Sequence, residues 1–77
     1  MQGLSAFKVG EQGRILRLLP HNPIYRQKLL AMGLLPGTTF KVNRLAPLGD
    51  PIEIWVRGYG LSLRKFEAAI LEVEKLC

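Results

Sequence analysis

The stretch from Asn22 to Leu45 constrains the fold more than any other part of the chain, and it has the sequence NPIYRQKLLAMGLLPGTTFKVNRL. Asn22 is a favourable N-cap, because its side-chain oxygen can accept from the free N–H groups of a first helical turn. Pro23 suits the first helical position, where no donor is needed. Gly33 stands where a helix commonly ends in the left-handed conformation. The stretch therefore predicts a capped helix with a glycine stop.

Apolar residues of this helix recur with helical spacing. Tyr25, Leu29 and Met32 fall at i, i+4 and i+7 and are expected to face the core, whereas Arg26 and Lys28 are expected to face water. After the helix, Pro36-Gly37 is a turn signal, and the β-branched and aromatic residues that follow predict a strand. One amphipathic helix is thus joined to a sheet by a rigid connection over residues 33–37, which we call the elbow.

The remainder of the chain predicts further short strands separated by turn formers. The predicted elements are strand one at Arg14–Leu19, strand two at Thr38–Ala46, strand three at Ile52–Arg57, a tight connection at Gly58-Tyr59-Gly60, strand four at Leu61–Arg64, a helical turn at Lys65–Ala69 and a last strand at Ile70–Glu74. Five short strands and one helix indicate a mainly β chain: a small antiparallel barrel with the helix inserted between strands one and two. With 77 residues, 1–77 is expected to be a single domain.

Two strands break the alternation that a half-buried strand should show. In strand one, Ile15 and Leu16 are adjacent apolar residues, so the register stays ambiguous. In strand two, Leu45 falls on the same face as Lys41, which predicts a bulge or bend near Arg44.

Residue patterns typical of catalysis or metal binding are missing from the sequence. His21 precedes a helix cap and is expected to be a solvent-exposed loop residue, and Cys77 is expected to be a terminal thiol without a role. These two residues and the scattered carboxylates show no ligand spacing, and no phosphate-binding glycine pattern is present. We expect a binding module and not an enzyme, with no catalytic residues, no metal centre and no cofactor.

The charge balance allows a second interpretation. The net charge is +5 and the pI is about 9.9, and a basic balance of this kind is typical of domains that bind nucleic acid. A basic barrel that binds nucleic acid would stack bases on exposed aromatic residues, and the candidates are Trp55, Tyr59 and Tyr25. For Trp55, packing under the N-terminal segment or the helix is expected in preference to contact with a partner.

The leucines around the elbow exceed what one packing face needs, and a surplus apolar edge is typical of a protein-binding surface. Leu48 adds an apolar tip to the loop PLGDP. The predicted partner contacts are Leu29, Leu30, Leu34, Leu35 and Leu48, with Arg26 and Lys28 as rim charges. Which of these leucines belong to the core is left open by the sequence.

Several segments in register resemble the FeoA family, the small proteins of the bacterial ferrous iron transport system. The segments are Leu4-Ser5, Gly10-Glu11-Gln12-Gly13-Arg14-Ile15, the run YRQKLLAMGLLPGTTFKVNRLAPLGDPI from Tyr25 to Ile52, and Leu61-Ser62-Leu63-Arg64. Together they cover essentially the whole chain.

The resemblance implies an SH3-like barrel and a non-enzymatic accessory or regulatory role in ferrous iron uptake. It also implies a partner, the membrane Fe²⁺ transporter with a cytoplasmic GTP-binding domain. It supplies no catalytic or metal residues to carry over. Direct sensing of Fe²⁺ or nucleotide is a third alternative, against which the missing ligand set argues.

Since no apolar run approaches the roughly 20 residues that span a bilayer and the signal-peptide pattern is missing, we expect a cytoplasmic protein.

Overall fold

The fold is taken from a computed structural model, which describes residues 3–20, 22–48 and 50–76. Its elements are a single 3-10 turn at Leu4–Ala6, β1 at Gln12–Leu18, α1 at Pro23–Ala31, β2 at Thr39–Leu45, β3 at Ile52–Val56, β4 at Tyr59–Leu63, α2 at Lys65–Ala68 and β5 at Leu71–Leu76. The expectations for His21 and Cys77 lie outside the described residues.

The five strands form one antiparallel sheet in the order β4-β3-β2-β1-β5. The helix α1 connects β1 to β2, and the short helix α2 connects β4 to β5, the first and last strands of this order. All five strands and α1 contribute to one buried apolar cluster, so the sheet curves around its core. The prediction of a mainly β, SH3-like fold with one helix between strands one and two is confirmed.

A bulge settles the ambiguous register of β1. Ile15 pairs with Val73 and Arg17 pairs with Glu72, so Leu16 is the extra residue of the bulged strand. Ile15 is consequently fully buried, while Leu16 is 37% exposed.

The bulge predicted near Arg44 is confirmed, since the register of β2 against β3 shifts between Val42 and Arg44. Phe40 and Val42, before the shift, are buried as predicted. The extra residue lets β2 bend around the core, which a short strand in a small sheet needs.

The start of α1 follows its capping chemistry. The Asn22 side chain accepts a hydrogen bond from the backbone N–H of Tyr25 at 3.4 Å, and Pro23 opens the helix. Both predictions for this end of the helix are confirmed.

The end of α1 is a Schellman motif. Gly33 has φ +92°, its N–H donates to the Leu30 carbonyl at 3.0 Å, and the Leu34 N–H donates back to the Leu29 carbonyl at 3.1 Å. The two bonds turn the chain sharply enough to direct Leu34 into the core behind Leu29.

The elbow is fastened to β1 beyond this motif. Gly37 has φ +89°, and its N–H donates to the Ile15 carbonyl at 2.7 Å. The Ile15 N–H donates in turn to the Thr38 carbonyl at 2.8 Å. These bonds fix the position of the elbow relative to the sheet.

The turn between β3 and β4 differs from the prediction. Arg57 and Gly58 form a two-residue turn with φ of 51° and 91°, and β4 already begins at Tyr59. Two successive positive φ values are those of a type I′ hairpin turn, whose twist matches that of the flanking strands. The assignment of Tyr59 and Gly60 to the connection was therefore wrong, because Arg57 takes the left-handed position that the sequence pattern gave to a glycine.

Candidate protein-docking surface

The structure divides the predicted contact leucines between core and surface. Leu29 and Leu34 are 0% exposed, so the expectation that they contact a partner is wrong for the folded chain. The physical reason is the Schellman motif, which places both side chains on the inner side of the elbow. Leu30 is partly buried against the core, and Leu35 and Leu48 are exposed.

The exposed leucines do not form one patch. Leu35 lies at the elbow before β2, whereas Leu48 lies in the loop after β2 and is 89% exposed. A strand of this length spans about 20 Å at the usual rise per residue. The two residues therefore belong to two separate surfaces.

The loop that carries Leu48 is held against α2. The Asp50 carboxylate accepts a hydrogen bond from the backbone N–H of Lys65 at 3.0 Å, and the guanidinium of Arg64 lies 3.9 Å from the same oxygen. Asp50 thus caps the first turn of α2 from a distant segment, a contact that sequence spacing does not reveal.

The two predicted rim charges, Arg26 and Lys28, differ in their ion pairing among the described residues. Lys28 Nζ lies 3.0 Å from the Glu67 carboxylate of α2, whereas Arg26 is exposed and takes part in none of the ion pairs. Lys28 therefore helps to hold α1 against α2.

Glu67 is a buried carboxylate with satisfied hydrogen bonds. It is 4% exposed, and besides the Lys28 ammonium it accepts from the Arg64 backbone N–H at 2.9 Å. Burial by itself raises the pKa of this carboxyl, but the bonds from the Arg64 N–H and from Lys28 outweigh it and leave the pKa below its ordinary value. Sequence analysis missed this residue, because the capping-box signal places Ser or Thr three residues before such a Glu, and Arg64 stands there instead.

A shallow groove runs from the elbow onto the outer face of β2 and β3. Its first part is about 490 Å³ and is lined by Leu35, Pro36, Gly37, Thr38, Thr39 and Arg57. Its second part is about 260 Å³ and is lined by Gln12, Thr39, Phe40, Lys41, Trp55 and Arg57. Thr39 and Arg57 line both parts, so the two adjoin, and we call them together the elbow groove.

Trp55 is the large aromatic side chain of the elbow groove. It is 49% exposed, so the expectation that the N-terminal segment or the helix covers it was wrong. Trp55 lies opposite Lys41 of β2 on one side and opposite Gly60 of β4 on the other. Because Gly60 has no side chain, β4 leaves one flank of the indole open.

The β3–β4 turn supports the elbow from the side. The Tyr59 hydroxyl donates to the Met32 carbonyl at the end of α1. Gly33 is close as well, since a Cβ at this position would lie 3.2 Å from the Tyr59 oxygen and 3.8 Å from Arg57 Cδ. Helix end, elbow and turn thus form one rigid rim of the groove.

The chemistry of the described residues is that of a contact surface. Within 3–20, 22–48 and 50–76, His, Cys, Asp and Glu side chains form no group of three or more that could hold a metal ion. Over the same ranges, no helix has the length and apolarity to span a membrane. The elbow groove offers an open indole, an exposed leucine and two cations, which is suited to binding another macromolecule.

A small SH3-like β fold with an apolar and basic groove defines a class of binding domains. Within this class, the chain belongs to the FeoA family, because the model of the FeoA domain matches residues 2–75.

Two further proteins are similar to the chain in sequence. The chain is 38% identical over 71 residues to an Fe(2+) transport protein A/Fe(2+) transporter FeoB fusion protein of Porphyromonas gingivalis (strain ATCC BAA-308 / W83), with 92% of this chain covered. The match spans only 8% of the length of that fusion protein. The structure of a FeoA-like protein from Clostridium acetobutylicum has a TM-score of 0.87 and 37% identity, and the match covers 97% of this chain and 86% of that one.

A manganese-dependent transcriptional repressor shares the fold alone. Its structure has a TM-score of 0.89 at 18% identity, and the match covers 97% of this chain and 36% of the repressor. The same fold thus occurs in proteins of different function, and fold alone does not decide the role.

Proposed function

We propose that this chain is a non-enzymatic accessory protein of ferrous iron uptake, located in the cytoplasm, that docks on the cytoplasmic GTP-binding part of a membrane Fe²⁺ transporter. The observation that carries the proposal is the relative in which a transport protein A of this family is fused to an Fe(2+) transporter. Covalent fusion keeps two partners at a high effective concentration, which is useful when they also bind each other.

The elbow groove is the surface that we assign to this contact. Leu35 is 42% exposed and lies on the rim that hydrogen bonds hold rigid, and Trp55, 49% exposed, lies in strand β3 within the same groove. A rigid apolar surface loses little conformational entropy on docking. Arg26 and Leu30 lie four residues apart on one face of α1, which leads to the elbow at Gly33 and extends the surface.

The test is capture of the full chain by the detergent-solubilised transporter of the same organism, measured as an affinity. The substitution Leu35→Asp places a charge in the docking surface and is expected to weaken capture at least about tenfold, as at interface positions of high energetic weight. The matched control is Leu48→Asp, the same change at an exposed leucine at the far end of β2, and it is expected to leave capture unchanged. Circular dichroism confirms that both variants are folded.

The assignment to the GTP-binding part is tested with that domain alone. It is expected to capture the wild-type chain with the affinity of the intact transporter. Capture by the intact transporter but not by the isolated domain would place the contact elsewhere. Weakening by Leu48→Asp but not by Leu35→Asp would move it to the β2–β3 loop, and failure of both transporter preparations to capture the wild type would overturn the proposed function.

A further inference from the structure

Most acidic side chains of the molecule are paired with basic side chains. All six Asp and Glu residues lie in the described ranges, and five of them form ion pairs with basic side chains. The pairs are Arg14–Glu74, Arg17–Glu72, Lys28–Glu67, Arg64–Asp50 and Lys75–Glu11. The sixth, Glu53, accepts from the Asn43 side chain at 2.7 Å.

Two cations of the elbow groove, Lys41 and Arg57, take part in none of these pairs. Lys41 lies directly opposite Trp55 across the β2–β3 ladder, and Arg57 follows Trp55 by two residues. Directly opposite residues have Cβ atoms about 5 Å apart. The indole is thus flanked by two positive charges that form no ion pair with an acidic side chain of the described residues.

We infer that the elbow groove binds an acidic protein segment that carries a large apolar side chain between its carboxylates. The apolar side chain packs on the open flank of Trp55 beside Gly60, and the carboxylates pair with Lys41 and Arg57. Charge complementarity of this kind gives binding specificity and fast association, while the apolar anchor supplies most of the affinity.

The choice of a protein segment over nucleic acid rests on the proposed function and on the aromatic residues. Single-stranded nucleic acid is bound by successive bases stacking on several aromatic side chains along a basic groove. The aromatic residues that line the elbow groove are Trp55 and Phe40, and Phe40 is buried at 4% exposure. Tyr59 is exposed but lines neither part of the groove, and its hydroxyl is hydrogen-bonded to the Met32 carbonyl. One accessible ring within the groove suits one apolar anchor.

The probe is the synthetic peptide acetyl-GEDLFDEG-amide, titrated into the full chain. Trp55 is the chain's single tryptophan, so its fluorescence reports on this groove directly. We expect a saturable change, and we expect Trp55→Phe to bind the peptide more weakly in a competition assay. Two comparison peptides replace the acidic residues by lysine, or the Leu-Phe pair by Gly-Ser, and both are expected to bind at least about tenfold more weakly.

Paired variants separate local from general charge effects. The double variant Lys41→Gln/Arg57→Gln is expected to bind the acidic peptide about three- to tenfold more weakly, as the loss of two exposed ion pairs would cause. Lys8→Gln/Lys65→Gln removes the same net charge outside the groove and is expected to keep wild-type affinity.

Several results would overturn the inference. These are no saturable fluorescence change up to millimolar peptide, equal binding of the lysine peptide, equal loss in both double variants, or tighter binding of an oligothymidylate of about ten nucleotides. The titration contains no transporter, so its failure is distinguishable from failure of the proposed function. Transporter capture without peptide binding removes the inference alone, and peptide binding without transporter capture removes the proposed function alone.

Discussion

Gly13 shows how one residue sets the packing of the core. A Cβ at this position would lie 2.6 Å from Phe40 Cζ, 2.8 Å from Phe7 Cε2 and 2.8 Å from the Glu74 carbonyl oxygen. Both rings are buried, with their centroids 5.5 Å apart, and the carbonyl belongs to the neighbouring strand. The glycine at the start of β1 is therefore required by close approach of three neighbours.

We predict that Gly13→Ala lowers the free energy of unfolding by about 1–3 kcal/mol, the usual effect of overpacking a core. The matched control is Gly60→Ala, where the added Cβ would meet Trp55 at an ordinary 3.9 Å. Since glycine weakens a strand interior, the control is expected to be neutral or to stabilise by about 0.5 kcal/mol. Urea denaturation of the two variants measures the difference, and equal stabilities would contradict the packing described for Gly13.

Glu67 gives the molecule a pH dependence whose sign follows from its surroundings. Its pKa in the folded chain is lowered from 4.5, its ordinary value, and the unfolded chain has no such shift. The contribution of this carboxylate to stability is therefore complete above pH of about 4.5 and is lost as the pH falls through the lower, folded pKa.

We predict that Glu67→Gln unfolds about 1–3 kcal/mol more easily at pH 7, the range for a hydrogen-bonded charged group. The difference in stability from wild type should shrink as the pH falls below about 4.5. Lys28→Gln removes one of the two donors and should retain part of the dependence, because the Arg64 N–H still binds the carboxylate. Denaturation curves recorded between neutral and acidic pH measure this, and a difference that grows on acidification would contradict the assigned sign.

Among the structural elements, the elbow after α1 was the most predictable. The cap at Asn22, the stop at Gly33 and the turn at Gly37 all depend on neighbours within a few residues, so their chemistry is visible in the sequence. The division of the leucines was not visible, because Leu29, Leu30, Leu34 and Leu35 are sorted by a Schellman motif that turns the chain between them.

We predict that Gly33→Ala and Gly37→Ala both destabilise the fold by about 1–2 kcal/mol, since both positions have positive φ. Gly33→Ala should be the more harmful, because its Cβ would also crowd the Tyr59 oxygen at 3.2 Å, whereas no atom lies within 4 Å of a Cβ at Gly37. Adding Tyr59→Phe to each variant separates the cost of the positive φ from the cost of crowding the Tyr59 oxygen, and thermal denaturation measures both. The second change should be better tolerated in the Gly33→Ala variant than in the Gly37→Ala variant, and equal effects would show that the hydroxyl does not crowd position 33.

For the whole molecule, the candidate site was less predictable than the fold. The alternation in β3 and the turn formers were enough to predict a small antiparallel β fold. They did not reveal that β5 pairs with β1, a strand far from it in the chain. The elbow groove instead depends on which residues the ladders place side by side, such as Lys41 opposite Trp55 and Trp55 opposite Gly60. Ion pairing matters equally, because it joins residues far apart in the chain and thereby determines which cations stay available.

The pairing of β1 with β5 has a consequence for synthesis of the chain. Gln12 pairs with Leu76, so the second strand of this ladder is translated after every other element of the sheet. Until Leu71 and Val73 have left the ribosome, Ile15 and Leu18 lack neighbours that bury them in the finished fold. The domain must therefore complete its folding after translation of β5, and until then the nascent chain exposes the apolar side chains of β1 to chaperones.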